Sequence, residues 1–184
     1  SILHAPLFHP AMKNVGTIRK ELGVKTFFNM LGPMVNPSFP KNQIVGVFSL
    51  ELARMYAYLY QNTNVNYTIL HSLDGYDEIS LTGEAKMISK NSEALINSKT
   101  FHLSALHQEE IKGGTTTQES AKMFLDIISG NGTEAQNQVV LANAGLAIAT
   151  VENCSILDGF EKAKESLFTG KALEKLNKLQ QLSQ

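Results

Sequence analysis

Hydrophobic residues recur along this chain with two periods, and the switches between them outline its elements. Met12, Val15, Ile18 and Leu22 share one arc at about 100° per residue, which predicts a helix opened by Pro10 and stopped by Gly23. Residues 25–31 read as a second, short helix that closes where Gly32-Pro33 disfavours helical backbone. Asn36-Pro37 and Phe39-Pro40 then form a stiff loop, and the pattern changes beyond it. Residues 43–48 are a β-rich run, 50–61 are helically periodic, and 67–72 are a second strand, so these two strands are expected to pair in parallel. Residues 86–89 and 94–96 predict a hairpin around Lys90-Asn91-Ser92. Residues 105–111 read as a weak helix ended by Gly113-Gly114. Helices follow at 118–129, 134–150, 156–169 and 171–182. Thr117 and Ser120 fall short of a capping box for the first of these, while Thr133 is the expected cap of the second. Asn143-Ala144-Gly145 in that second helix supplies small residues for close packing. The pattern is that of an α/β protein with a central, mostly parallel sheet flanked by helices.

A length of 184 residues suffices for one full core and one or two domains. With 16 basic against 17 acidic residues there is no basic footprint, and no nucleic-acid partner is expected. No run reaches the roughly 18 apolar residues that span a bilayer; the best, 139–151, is interrupted by Asn143. Cys154 is the only cysteine, which excludes an internal disulfide and suits a cytoplasmic setting. Ser1 opens on what reads as mid-domain sequence, so the chain is expected to be a piece of a longer protein.

Two places carry candidate chemistry. Arg19 lies about 20° from Met12 on the apolar arc, with His9 about 60° to the other side, so its guanidinium must snorkel or meet an anion. The second is Asp74-Gly75-Tyr76-Asp77-Glu78, directly after the 67–72 strand, where ligands of open α/β sheets gather. Three carboxylates in five residues repel one another unless water or a cation separates them. Such a segment is either a solvated turn or a Mg²⁺ site, and adjacent Asp77 and Glu78 can both serve a cation only from a loop. Asp74 suits a turn-former, with Gly75 supplying backbone freedom.

The run HAPLFHPAMKNVGTIRKELGVKTFFNMLGPMVNP resembles the central signature of the anthranilate phosphoribosyltransferases, and DGYDEIS, NAGLAIA and FEKAKESLFTGKALEKL extend the likeness along all 184 residues. That resemblance implies transfer of a phosphoribosyl group from phosphoribosyl pyrophosphate to anthranilate in tryptophan biosynthesis. It implies that Ala5, Pro6, His9, Met12, Arg19 and Gly32 line the anthranilate path, with Arg19 on the carboxylate and His9 as a lining or capping residue rather than a general base. Asp77 and Glu78 would hold the Mg²⁺ that bridges to the pyrophosphate. Residues 1–37 would then belong to a small α-helical domain, which forms the homodimer interface in the family, and 38–184 to the α/β phosphoribosyltransferase domain.

The chain also departs from the family. It carries neither the glycine-rich GTGGD loop nor the KxGN segment of the family's upstream half; its only Gly-Gly, in IKGGTTT, lacks the acidic partner. Without that phosphate cradle the chain alone is expected to bind the sugar donor poorly and to be inactive. A pyrimidine nucleoside phosphorylase-like enzyme shares the architecture, but a nucleobase offers Arg19 no carboxylate. A non-catalytic nucleic-acid-binding relative is disfavoured by the balanced charge.

Overall fold

A computed structural model describes residues 2–3, 5–8, 14–16, 18, 21, 23 and 28–183, and divides the chain into two units, Ser1–Pro40 and Lys41–Gln184. In the first unit Ala5–Phe8 is a helical turn, and residues 14–16, 18 and 21 are helical ahead of Gly23 at a φ of 62°. His9, Met12 and Arg19 lie outside the described residues, as does most of the arc that carries them. Phe28–Leu31 is helical and ends before Gly32-Pro33, as expected. A separate 3-10 turn, Gly32–Met34, follows directly and accommodates Pro33 in its first turn, where a missing N–H costs nothing.

The second unit contains β1 (Asn42–Gly46), α1 (Leu50–Tyr60), β2 (Asn66–Ser72), β3 (Ala85–Ser89) and β4 (Glu93–Ile96). Four helices follow: α2 (Thr117–Ile128), α3 (Glu134–Glu152), α4 (Ile156–Phe168) and α5 (Lys171–Leu182). Strand order in the sheet is β1-β2-β3-β4. β1 runs parallel to β2, with Val45 opposite Ile69, as the intervening helix requires. The α/β class is as expected, but the pairings of β2 with β3 and of β3 with β4 are antiparallel. Among the described residues the sheet is therefore mixed rather than mostly parallel. A short excursion at Lys90-Asn91 can only return the chain antiparallel.

Alternation along β2 builds the core on both faces of the sheet. Tyr67 and Ile69 face α1, where the Tyr60 and Tyr67 rings stack 5.3 Å apart. Thr68, Leu70 and Ser72 face α3, and the Thr68 and Thr150 hydroxyls meet at 2.8 Å. Leu70 joins Ile79, Leu81, Met87, Phe101, Leu146 and Phe160 in one buried cluster. α3 and α4, bent 117° apart, cross where Gly145 meets Gly159. A Cβ on Gly159 would stand 2.2 Å from the Gly145 carbonyl oxygen, so the small residues of the Asn-Ala-Gly run set this approach.

The caps are local. Thr133 and Gln136 form a reciprocal capping box for α3. For α2 the cap is Thr116, one residue before Thr117, with its hydroxyl accepting from the Glu119 N–H at 3.1 Å. The weak helix expected over 105–111 is absent; only Gln108–Ile111 form a 3-10 turn. The reason lies in the tertiary structure, for the Leu106 N–H donates to the Leu81 carbonyl at 3.0 Å instead of to a helical neighbour. Among the described residues no single helix is long and apolar enough to cross a membrane.

Candidate functional site: the loop after β2

β2 ends at Ser72, fully buried, and the chain leaves the sheet through a loop that returns as β3. Leu73 opens it with its N–H donating to the Glu84 carbonyl at 2.8 Å, which closes the loop at its base. Asp74 and Gly75 make the first turn, with the Gly75 N–H reaching back to the Ser72 carbonyl at 3.0 Å and Gly75 at a φ of 101°. The Asp74 carboxylate turns inward to the loop itself. It accepts from the Ser80 hydroxyl at 3.2 Å and from the Thr82 hydroxyl. This is the turn-forming part expected of Asp74, and it separates that charge from the two that follow.

Asp77 and Glu78 are exposed, and among the described residues neither carboxylate takes part in an ion pair or hydrogen bond. Their backbone, by contrast, is held at every step. At Asp77 the carbonyl oxygen lies against Gly46 so closely that a Cβ there would stand 2.1 Å from it. At Glu78 the carbonyl accepts from the Ser72 hydroxyl. At Ile79 the side chain is 1% exposed and the peptide is grasped by Asn143 of α3. The Asn143 side-chain oxygen accepts from the Ile79 N–H at 2.9 Å, and its nitrogen donates to the Ile79 carbonyl at 2.9 Å. Asp77, Glu78, Gly46, Leu70, Asn143 and Leu146 surround a groove of about 430 Å³.

Among the described residues the donor set of this groove is two exposed carboxylates without a hydrogen-bond or ion-pair partner, on a backbone held by Ser72 and Asn143. Hard oxygen ligands of that kind suit Mg²⁺, which keeps several waters and takes one or two carboxylates together with substrate phosphates. Among the described residues no group of three or more His, Cys, Asp or Glu is placed to hold a metal ion, so Asp77 and Glu78 could serve Mg²⁺ only as two of its ligands, with water or phosphate completing the shell.

His71, 8% exposed, sits behind the site and donates its Nδ1 proton to the Val47 carbonyl at 2.8 Å, tying the end of β1 to β2. Of the expected acceptor residues, Gly32 begins the 3-10 turn of the first unit, and Ala5 and Pro6 lie in its opening helical turn. Sequence reasoning missed Gly46 and Asn143. A glycine inside a strand signals close approach of another backbone, so Gly46 could have been found. Nothing in the Asn-Ala-Gly run distinguishes an asparagine that grasps a distant peptide from one that tolerates packing.

The sequence pattern described as glycosyl transferase family, a/b domain, matches residues 1–173. The anthranilate phosphoribosyltransferase of Flavobacterium psychrophilum is 71% identical over 182 residues, which are 99% of this chain and 55% of that protein. The anthranilate phosphoribosyltransferase of Christiangramia forsetii is 68% identical over 183 residues, 100% of this chain and 55% of its own length. Among solved structures, anthranilate phosphoribosyltransferase from Saccharomyces cerevisiae in complex with PRPP and Mg aligns with a TM-score of 0.84 at 28% identity. That alignment covers 94% of this chain and 50% of the yeast chain. The Thermus thermophilus enzyme aligns with a TM-score of 0.87 at 30% identity, over 96% of this chain and 53% of its own. This chain spans about half the length of the curated relatives that it matches.

Proposed function

This chain belongs to the glycosyl transferase family, a/b domain, and from that membership we propose that it forms part of an anthranilate phosphoribosyltransferase. The observation that carries the reading is the Asp77–Glu78 pair, exposed and unpartnered on a backbone fastened by Gly46, Ser72 and Asn143. In this reading residues 1–37 are the helical segment of the acceptor pocket and 38–184 the carboxy-terminal part of the phosphoribosyltransferase domain.

The reaction is a substitution at the anomeric carbon of ribose. The amine of anthranilate forms the new C–N bond as the C–O bond to pyrophosphate breaks, and the amine proton passes to solvent. Arg19 binds the anthranilate carboxylate and orients the amine, a positioning contribution. His9, Met12, Ala5, Pro6 and Gly32 line the acceptor path. Asp77 and Glu78 would hold Mg²⁺, whose chemistry there would be neutralisation of charge on the departing pyrophosphate. Their firm backbone keeps both carboxylates directed without reorganisation as charge develops. No residue serves as general base in this scheme. The intact protein is taken to be a cytoplasmic homodimer, in keeping with the single cysteine of these 184 residues and with the helical interface that the family resemblance implies.

Titration of Mn²⁺ into the 184-residue chain should show binding that Asp77→Asn with Glu78→Gln abolishes. In a protein carrying this chain together with the remaining length of its relatives, Arg19→Ala should raise the KM for anthranilate by roughly tenfold or more, the loss of a charge-assisted hydrogen bond. Unchanged Mn²⁺ binding in the double variant would reduce the loop to a solvated turn. Phosphoribosylation of anthranilate by residues 1–184 alone would contradict the division of labour proposed here.

A further inference from the structure

We propose that Asn143 is a positioning residue for the metal site, acting through the peptide of Ile79 on the carboxylates of Asp77 and Glu78; this rests on the function proposed above. A buried loop peptide has no strand partner, yet its N–H and C=O must be satisfied. Asn143 supplies both halves of the missing partner at 2.9 Å each, as a neighbouring strand would. Its second amide hydrogen goes to the Val139 carbonyl, one helical turn back, also at 2.9 Å. Both donor hydrogens are therefore committed and the amide plane is set by its own helix. The residue after Glu78 takes its position from α3, a long element whose own place is set by the buried cluster and the Gly145–Gly159 crossing.

Only Asn has this combination of reach, one acceptor and two donors from this position. Asp would keep the acceptor for the Ile79 N–H but set carboxylate oxygen against the Ile79 and Val139 carbonyls. Ala would leave a buried peptide unpaired. Either change loosens the Ile79 end of the loop, leaves Glu78 held by the Ser72 hydroxyl alone, and widens the range of positions open to its carboxylate. Groups that orient metal ligands from behind typically govern affinity by about 10–100-fold.

The test uses the 184-residue chain and Mn²⁺ alone, read by isothermal titration and by the Mn²⁺ paramagnetic resonance signal, with amide exchange at Ile79 followed in parallel. Asn143→Ala should weaken Mn²⁺ binding by about 10–100-fold and accelerate Ile79 exchange. Ile127→Ala, a destabilising change on α2 outside the buried cluster that holds Ile79, should leave Mn²⁺ affinity within about twofold, which a merely structural role for Asn143 does not predict. Where Asn143→Ala does not fold, Asn143→Asp is judged by the same limits. Parent-like affinity or parent-like Ile79 exchange in the variant overturns the positioning role while leaving the metal reading intact. Failure of the parent chain to bind Mn²⁺ overturns both.

Discussion

Two hollows of the Lys41–Gln184 unit show how differently one fold can line its space. The groove beside the β2 loop, about 430 Å³, sets two carboxylates, an amide and a bare glycine against an apolar floor of Ile44, Leu70, Leu146 and Ala147. A smaller cavity of about 240 Å³ lies among α2, α3, α4 and α5, walled by Phe124, Ile127, Val140, Ala144, Ile148 and Leu167. Ser166 is the polar residue among its lining. In the cavity the walls are mostly apolar side chains from four helices, so its energetics are those of apolar burial. In the groove the decisive contacts are made to backbone, by Ser72 and Asn143, and they fix the chain beneath carboxylates that among the described residues make no hydrogen bond or ion pair. Damage to the first should register as stability, and damage to the second as binding.

The largest effect that sharpens this contrast is expected on the apolar side. Ile127→Ala, half-buried in the cavity wall and outside the cluster that holds Ile79, should lower the free energy of unfolding by about 2–3 kcal/mol in urea titration while Mn²⁺ affinity holds. A parallel loss of Mn²⁺ affinity would break the separation of the two regions. Next comes Gly46→Ala, whose methyl must push either β1 or the Asp77 peptide aside. It should cost about 1–3 kcal/mol and also remove measurable Mn²⁺ binding, combining both readouts at one position. If stability falls but Mn²⁺ binding survives, the close approach of β1 does not set the loop.

The smallest effect is one of pH and concerns α2, which walls the cavity. Hydrogen bonds from the Thr115 hydroxyl and N–H hold the Glu119 carboxyl below its ordinary value of 4.5, with a further contribution from the Thr116 backbone. A carboxyl depressed in the folded state stabilises it above the ordinary value, and that stabilisation is lost as pH falls through the lowered one. Unfolding midpoints measured from pH 6 down to about 3 should therefore fall less steeply for Glu119→Gln than for the parent, while metal binding at neutral pH is unchanged. Identical slopes would show that this cap does not couple to folding.

Much of this architecture was legible in the sequence because it depends on near neighbours. The β1-α1-β2 unit, the hairpin and the four final helices each follow from periodicity and turn residues within a short window. Thr133 and Gln136 cap α3 from three residues apart, and Asp74 with Gly75 makes a turn of its own. Residues 105–111 defeated the same reasoning because Leu106 gives its N–H to Leu81 across the fold. Asp77 and Glu78 were recognisable as candidate ligands from residue type and place. Their fastening was not, since Asn143 lies 64 positions beyond Ile79.

By itself the sequence determined which segments become strand or helix outside residues 105–111, where charge is concentrated, and that a carboxylate pair follows the second strand. Only the tertiary structure decided that Asp74 is engaged within the loop, that Gly46 admits the Asp77 peptide, and that Asn143 completes the hydrogen bonding of Ile79. The physical reason is range. Dihedral preference and periodicity act over a few residues, whereas satisfying a buried peptide depends on whichever distant group the packed core brings beside it.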